Sequence, residues 1–205
     1  MANKPLAIDL FAGRFGWGRG LVAEGFQVIG FDIAHGPEHG SVPDGCELVI
    51  QDCRTIDGYR MRHAALIVAS PPCDQFALWG MKHFHPNPKH PEVGIELFEH
   101  AVRIVKEAGV PFVIENVRAA QVFVGMANAR CGSHYLWCSN PPALMPQEIT
   151  KRSRGLNFDR GYTGIRDNEG SRSYGSKSQG RRNAKAKIAE IPFPLARHIA
   201  RIFKP

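Results

Sequence analysis

A chain of 205 residues, 43% of them hydrophobic, can bury one substantial core and leaves little for a second full domain. With 26 Lys and Arg against 19 Asp and Glu its formal charge is +7, which points to an anionic partner, nucleic acid first. No stretch reads as a membrane span or as the apolar core of a signal peptide. The five cysteines contain no C-x-x-C pair, so neither a disulfide framework nor a zinc knuckle is suggested, and a reduced, cytoplasmic setting is expected.

In chain order, residues 5–12 (PLAIDLFA) read as a buried strand, and the glycines after it lead into a helix over 17–24. Three more short runs rich in Val or Ile follow, FQVIGFDI (26–33), CELVIQD (46–52) and AALIVAS (64–70). Each closes on a turn or a polar residue, as parallel strands do. Over 90–109 the apolar residues recur at helical spacing, with Gly109 placed as a C-terminal stop. PFVIENV (111–117) and HYLWCS (134–139) are two further strands, and 193–203 is a closing helix. The alternation predicts an α/β fold, a Rossmann-like doubly wound sheet in a single domain spanning 1–205, with a monomer as the default.

One composition shift interrupts this pattern, between 151 and 187. The segment is dense in Lys and Arg, holds only three acids (Asp159, Asp167, Glu169), and is otherwise rich in Gly and Ser. It cannot build a core and is expected to contact phosphates, with Arg152, Arg154, Arg181 and Arg182 as candidate phosphate-contacting residues.

Chemistry concentrates at the strand ends. In DLFAGRFGWGRG (9–20) glycines directly after the first strand let the backbone approach a ligand closely and aim N–H groups at it. Such a turn alone is equally compatible with a tight strand-to-helix connection. Asp32 closes the second strand, where these folds receive ribose hydroxyls, and Asp52 closes the third, near where an adenine edge would lie. Cys73 stands just past the fourth strand, behind Pro71 and Pro72, whose rings stiffen the backbone that presents it. A lone buried cysteine is ordinarily inert. At this position rigid presentation suits a nucleophile, and the neighbouring strand ends in Glu115 and Asn116.

DLFAG, Asp32, Asp52, PPC-x-x-F and ENV, in this order and at these spacings, resemble the motifs of the DNA cytosine-C5 methyltransferases, especially the compact phage or prophage forms. The resemblance covers residues 5 to about 117 and resumes more loosely at HYLWCSNPP and IPFPLARHIA. It implies S-adenosylmethionine as cofactor, held by Phe11, Gly13, Asp32, Asp52 and Pro72. It also implies a cytosine flipped out of duplex DNA, with Pro71 beside it. Cys73 would add to C6, turning the ring into an enamine whose C5 can accept a methyl group. Glu115 would serve N3, and Asn116 would hold the loop.

Several positions depart from that pattern. Phe15 stands where the family has glycine, which would alter the wall at the methionine end of the cofactor. No clear Q-x-R-x-R motif is present, and Arg130 and His134 are offered in its place. The basic segment stands instead of a full target-recognition domain. Residues 77–90 would form a mobile loop, with Trp79 and Phe84 either packing or filling the gap left by the base. His83, His85 and His90 in that loop lack an acid or cysteine to complete a metal site, so no metal is expected. Two rivals remain at this stage: the same chemistry on RNA or with a modified donor, and a nucleic-acid-binding protein that has lost turnover.

Overall fold

The structure, a computed structural model, describes residues 4–81, 83, 86–141 and 178–205. Among the described residues, seven strands form one sheet: β1 (Leu6–Leu10), β2 (Gln27–Asp32), β3 (Cys46–Ile50), β4 (Leu66–Ala69), β5 (Phe112–Asn116), β6 (Ala129–Cys131) and β7 (His134–Cys138). Their order is β3-β2-β1-β4-β5-β7-β6. The first five run parallel, and β7 is antiparallel to both of its neighbours. The described helices are α1 (Gly16–Ala23), α2 (Asp74–Gly80), α3 (Glu92–Ala108), α4 (Gln121–Val124), α5 (Gln179–Ile188) and α6 (Phe193–Phe203). This is the expected Rossmann-like doubly wound sheet, and its topological switch point lies between β1 and β4. In such sheets the crevice outside the carboxyl ends of those two strands receives the ligand.

The central strands are apolar on both sides because both sides are covered. Ala7, Val28, Leu66, Val68 and Val113 face a layer made by Trp17 and Leu21 of α1 and Leu195, Ile199 and Phe203 of α6. The alternate residues Ile8, Leu10, Ile67, Ala69 and Ile114 face Phe98, Ala101, Ile104 and Val105 of α3. Period-2 alternation therefore sorts each strand between two cores rather than between core and solvent.

Three features go beyond the sequence reading. The three-residue strand β6 is too short to stand out. The connection from β2 to β3 carries a single 3-10 turn, Pro37–His39. The end of the basic segment is helical: Ser178 caps α5 by accepting a hydrogen bond from the backbone N–H of Arg181, and Ala184 is buried. The rest of that segment, with Arg152 and Arg154, lies outside the described residues, as does Phe84.

The glycines of α1 serve packing more than ligand approach. A Cβ on Gly16 would lie 2.6 Å from the backbone N of Ile191, and one on Gly20 would lie 2.7 Å from the backbone of Ala196 and Arg197. The segment 191–197 thus rests directly on the helix. Phe15 adopts the left-handed conformation at φ 57°, which a bulky residue reaches only at a cost of about 1–2 kcal/mol. Its ring is fully buried. A Cβ on Gly30 would meet that ring at Cζ, 2.7 Å away, and one on Gly18 would meet it at Cδ1, 2.8 Å away. Two glycines therefore make room for a side chain where the resembled motif has none. Phe15 is tucked under α1 against β2 and presents no wall to the ligand edge.

Asp9, in the middle of β1, is 1% exposed. Its Oδ2 accepts a hydrogen bond from the backbone N–H of Gly18 at 3.2 Å, and its Oδ1 has no partner. Burial pushes its carboxyl well above the usual range, and the nearby charge of Asp32 adds to the effect. The folded protein therefore keeps a proton on Asp9 that the unfolded chain releases above about pH 4. Its contribution to stability is full below that pH and is lost as pH rises through the folded-state value. Asp9→Asn is expected to flatten this loss, measured as a smaller drop in the urea midpoint between pH 5 and pH 8 than in wild type.

Candidate active site

At the switch point β1 runs into Phe11, Ala12 and Gly13. Phe11 and Gly13 both take positive φ, 60° and 48°, so the chain folds back sharply before α1. The turn is fixed from β2: the backbone N–H of Gly13 donates to Asp32 Oδ2 at 2.9 Å, and Ala12 N–H donates to the carbonyl of Phe31 at 3.0 Å. A Cβ at position 13 would meet only the carbonyl oxygen of Phe11, at 3.8 Å, so the outer side of the turn is open.

Asp52 follows β3 and caps a 3-10 turn by accepting from the backbone N–H of Arg54 at 2.9 Å. Both of its carboxylate oxygens also face the Arg54 guanidinium, which reaches on to Glu96 of α3 at 2.7 Å. The hydrogen bond from the Arg54 backbone, with the guanidinium behind it, holds the Asp52 carboxyl below its ordinary value. Between the two acids Ile33 and Ile50 are exposed, at 64% and 57%. Three adjacent strand ends thus offer an open glycine turn, two carboxylates and apolar surface. Carboxylates that accept from hydroxyl groups, beside apolar surface, suit a nucleoside carrying ribose hydroxyls and a flat base.

The second half of the site hangs from β4. Ser70 accepts a hydrogen bond from Trp17 Nε1 of α1 at 2.8 Å, which ties the Cys73 loop to the helix that follows the glycine turn. Pro71 is buried and Pro72 exposed. The carbonyl of Pro71 accepts from Nδ2 of Asn116 at 3.0 Å, and Asn116 Oδ1 accepts from the backbone N–H of Val117. Asn116 is fully buried, so this cross-link from β5 is dry and fixes the approach to Cys73. Beyond the thiol, Gln75 Oε1 accepts from the backbone N–H of Gly94 at the start of α3, and the Phe76 ring packs against the same glycine. Cys73 is therefore fastened on both sides.

Cys73 is a thiol in this arrangement. Burial pushes its pKa up to about 12, helped by the charges of Glu115 and Asp74. The buried Glu115 of β5 accepts on Oε1 from His134 Nδ1 at 2.8 Å. That contact exists because β7 runs antiparallel to β5, pairing Asn116 with Tyr135 and setting His134 one step further along. Arg130 goes elsewhere: its Nε donates to the carbonyl of Gly132 and its guanidinium lies 5.2 Å over the Tyr135 ring.

Of the candidate residues, the fold brings Phe11, Gly13 and Asp32 to one side of the switch point and Pro71, Pro72, Cys73, Glu115, Asn116 and His134 to the other. Asp52 stands one strand beyond Asp32. Arg181 and Arg182 sit on α5, which is moored near the rim, where Gln179 Nε2 donates to Glu38 at 3.1 Å. Trp79 packs edge-on against Phe123 at 5.2 Å and His90 at 6.3 Å, and the first residues of the expected loop belong to α2. Among the described residues no three His, Cys, Asp or Glu side chains converge as a metal site.

Sequence reasoning missed Glu190. It pairs with Arg14 of the glycine turn at 2.8 Å and with Arg19 of α1, while Arg14 also donates to the carbonyl of Glu38 at 2.7 Å. The only signal was an acid between the basic segment and the closing helix. Nothing in the one-dimensional pattern joins position 190 to position 14.

No family model matches the sequence. The Type II methyltransferase M.AplI of Arthrospira platensis is 30% identical over 122 residues, which cover 57% of this chain and 32% of that protein. The chain thus spans about a third of its relative's length. Among solved structures, a prophage-encoded E. coli protein described as a DNA modification methyltransferase aligns at TM-score 0.44 and 22% identity, covering 57% of this chain and 33% of the other. The S. pombe Dnmt2 methyltransferase aligns at 0.40 and 17%, covering 58% and 36%. Over rather more than half its length, then, this chain is similar in sequence to a Type II methyltransferase.

Proposed function

We propose that this protein is an S-adenosylmethionine-dependent methyltransferase that modifies C5 of cytosine in DNA, with Cys73 as a covalent nucleophile. The observation that carries the reading is the Asn116 to Pro71 bond. It locks the cysteine loop beside Glu115, across the switch point from the glycine turn and Asp32. Likeness to a Type II methyltransferase supports the reaction class, and the excess positive charge supports a nucleic acid substrate.

Phe11, Gly13, Asp32, Asp52 and Pro72 would hold S-adenosylmethionine, which when bound supplies an electrophilic methyl group. The protein's own residues prepare the base. The Cys73 thiol gives up its proton to solvent as its sulfur bonds to C6, the C5–C6 π pair moves into the C4–C5 bond, the N3–C4 π pair moves onto N3, and N3 takes a proton from Glu115. C5 is then nucleophilic. Once C5 has been modified, its hydrogen leaves to solvent as a proton, the sulfur–C6 bond breaks to release the thiolate, N3 returns its proton to Glu115 and the aromatic ring is restored. Asn116 keeps the loop in place throughout. Arg181 and Arg182 of α5, with Arg152 and Arg154 of the basic segment, would grip phosphates. Because Phe15 is buried away from the ligand edge, unmodified S-adenosylmethionine is the donor proposed.

The test is the intact mass of the protein after incubation with S-adenosylmethionine and duplexes carrying 5-fluorocytosine in many sequence contexts. Fluorine at C5 blocks release, so a covalent protein–DNA species one methyl group heavier than protein plus DNA is expected. An adduct seen only with RNA would move the substrate. No adduct with either nucleic acid would leave a binding protein and overturn the reading.

A further inference from the structure

We infer that His134 is a positioning residue that orients Glu115 and fixes which carboxyl oxygen is left for the substrate, which makes the acid step depend on the His134–Glu115 pair rather than on Glu115 alone. This rests on the reading above and adds to it a hydrogen-bonding partner for the acid.

The geometry is specific. The imidazole Nδ1 lies 2.8 Å from Oε1 of Glu115, with the two side chains 15% and 11% exposed. An Nδ1–H donated to Oε1 occupies that oxygen, so a proton on the carboxyl must sit on Oε2, the oxygen left to face a base. When Oε2–H is given to N3, a carboxylate forms in a mostly enclosed place. The Nδ1–H on Oε1 holds that carboxylate until N3 gives the proton back to Oε2 as the product ring re-forms.

The surroundings leave this role to the imidazole. Among the described residues, the titratable and charged groups around the pair are few. Cys73 and Asp74 come from the β4–α2 connection, where the thiol feels the Glu115 charge. Cys131 of β6 stands opposite His134 in the ladder. On the same hairpin Arg130 is turned to Gly132 and Tyr135. Of the contacts described for Glu115, the hydrogen bond from His134 is the one made by a side chain that can donate to it.

The test compares the rate of 5-fluorocytosine adduct formation for wild type, His134→Gln and His134→Ala. Glutamine can donate to Oε1, and alanine cannot. His134→Gln should therefore come within about threefold of wild type, whereas His134→Ala should lose at least about tenfold. A His134→Ala rate within about threefold of wild type, or an equal loss in both variants, would overturn the inference while leaving the methyltransferase reading intact. Absence of a wild-type adduct would overturn the reading on which it rests. A cofactor-induced thermal shift equal in all three proteins would show that any loss lies in the chemistry rather than in folding.

Discussion

Cys73→Ala is expected to abolish covalent capture of 5-fluorocytosine DNA and to lower methyl transfer at least about 10³-fold, since removal of a nucleophile leaves only binding and orientation to act. Binding of the cofactor should survive, because the glycine turn and Asp32 are fixed by their own hydrogen bonds and do not lean on the thiol. The reactivity of Cys73 supplies an independent check. With its pKa pushed up to about 12, the thiol should react slowly with iodoacetamide at pH 8 in the free protein, despite its place beside an open crevice. Burial is the main cause, and the charges of Glu115 and Asp74 add to it. Asp74→Asn should therefore speed alkylation, whereas fast alkylation of the wild type would mean that the thiol is not held as its surroundings dictate. Slow alkylation of the wild type would mean that activation comes with the substrate, the proton departing during attack.

The largest effect on stability is expected from Gly20→Ala. A methyl group there would overlap the Cβ of Ala196 and lie 2.7 Å from the carbonyl carbon of Ala196 and the nitrogen of Arg197. These are backbone atoms of α6, so no side-chain rotation relieves the clash. α1 and α6 must separate, opening the layer of Trp17, Leu21, Leu195 and Ile199 that covers one face of the sheet. Overpacking of this kind costs about 3 kcal/mol. For a domain of this size that corresponds to a fall in Tm of roughly 6–12 °C, readable by circular dichroism. A melt within about 2 °C of wild type would show that the two helices are not in contact at this point.

Gly20 also shows where sequence reading reaches its limit. A glycine-rich run after a first strand has the local signature of a ligand turn, and Gly13 fits that description. Gly16 and Gly20 do not, because the space they leave is filled by residues about 175 positions later in the chain. Phe15 is similar: in the sequence it is an anomaly at a ligand wall, and in the fold it is a core residue lodged between Gly18 and Gly30. Histidine at 134 could be named as a candidate, but not its partner. The interaction with Glu115 depends on β7 entering the sheet antiparallel, which apolar patterning does not encode.

The sequence by itself determined the features that local chemistry controls. Apolar runs of strand length alternating with helical periodicity required a doubly wound sheet, and acids and a proline-stiffened cysteine at strand ends marked one edge of it. Tertiary structure decided which of those residues meet. Strand order put the Cys73 loop opposite the glycine turn, joined Asn116 to a carbonyl 45 residues away, paired His134 with Glu115, and gave the glycines of α1 to helix packing. The reason is physical: propensity and burial act over a few residues, whereas a hydrogen bond or a close contact between distant positions exists only once the order and direction of the strands have fixed the distance between them.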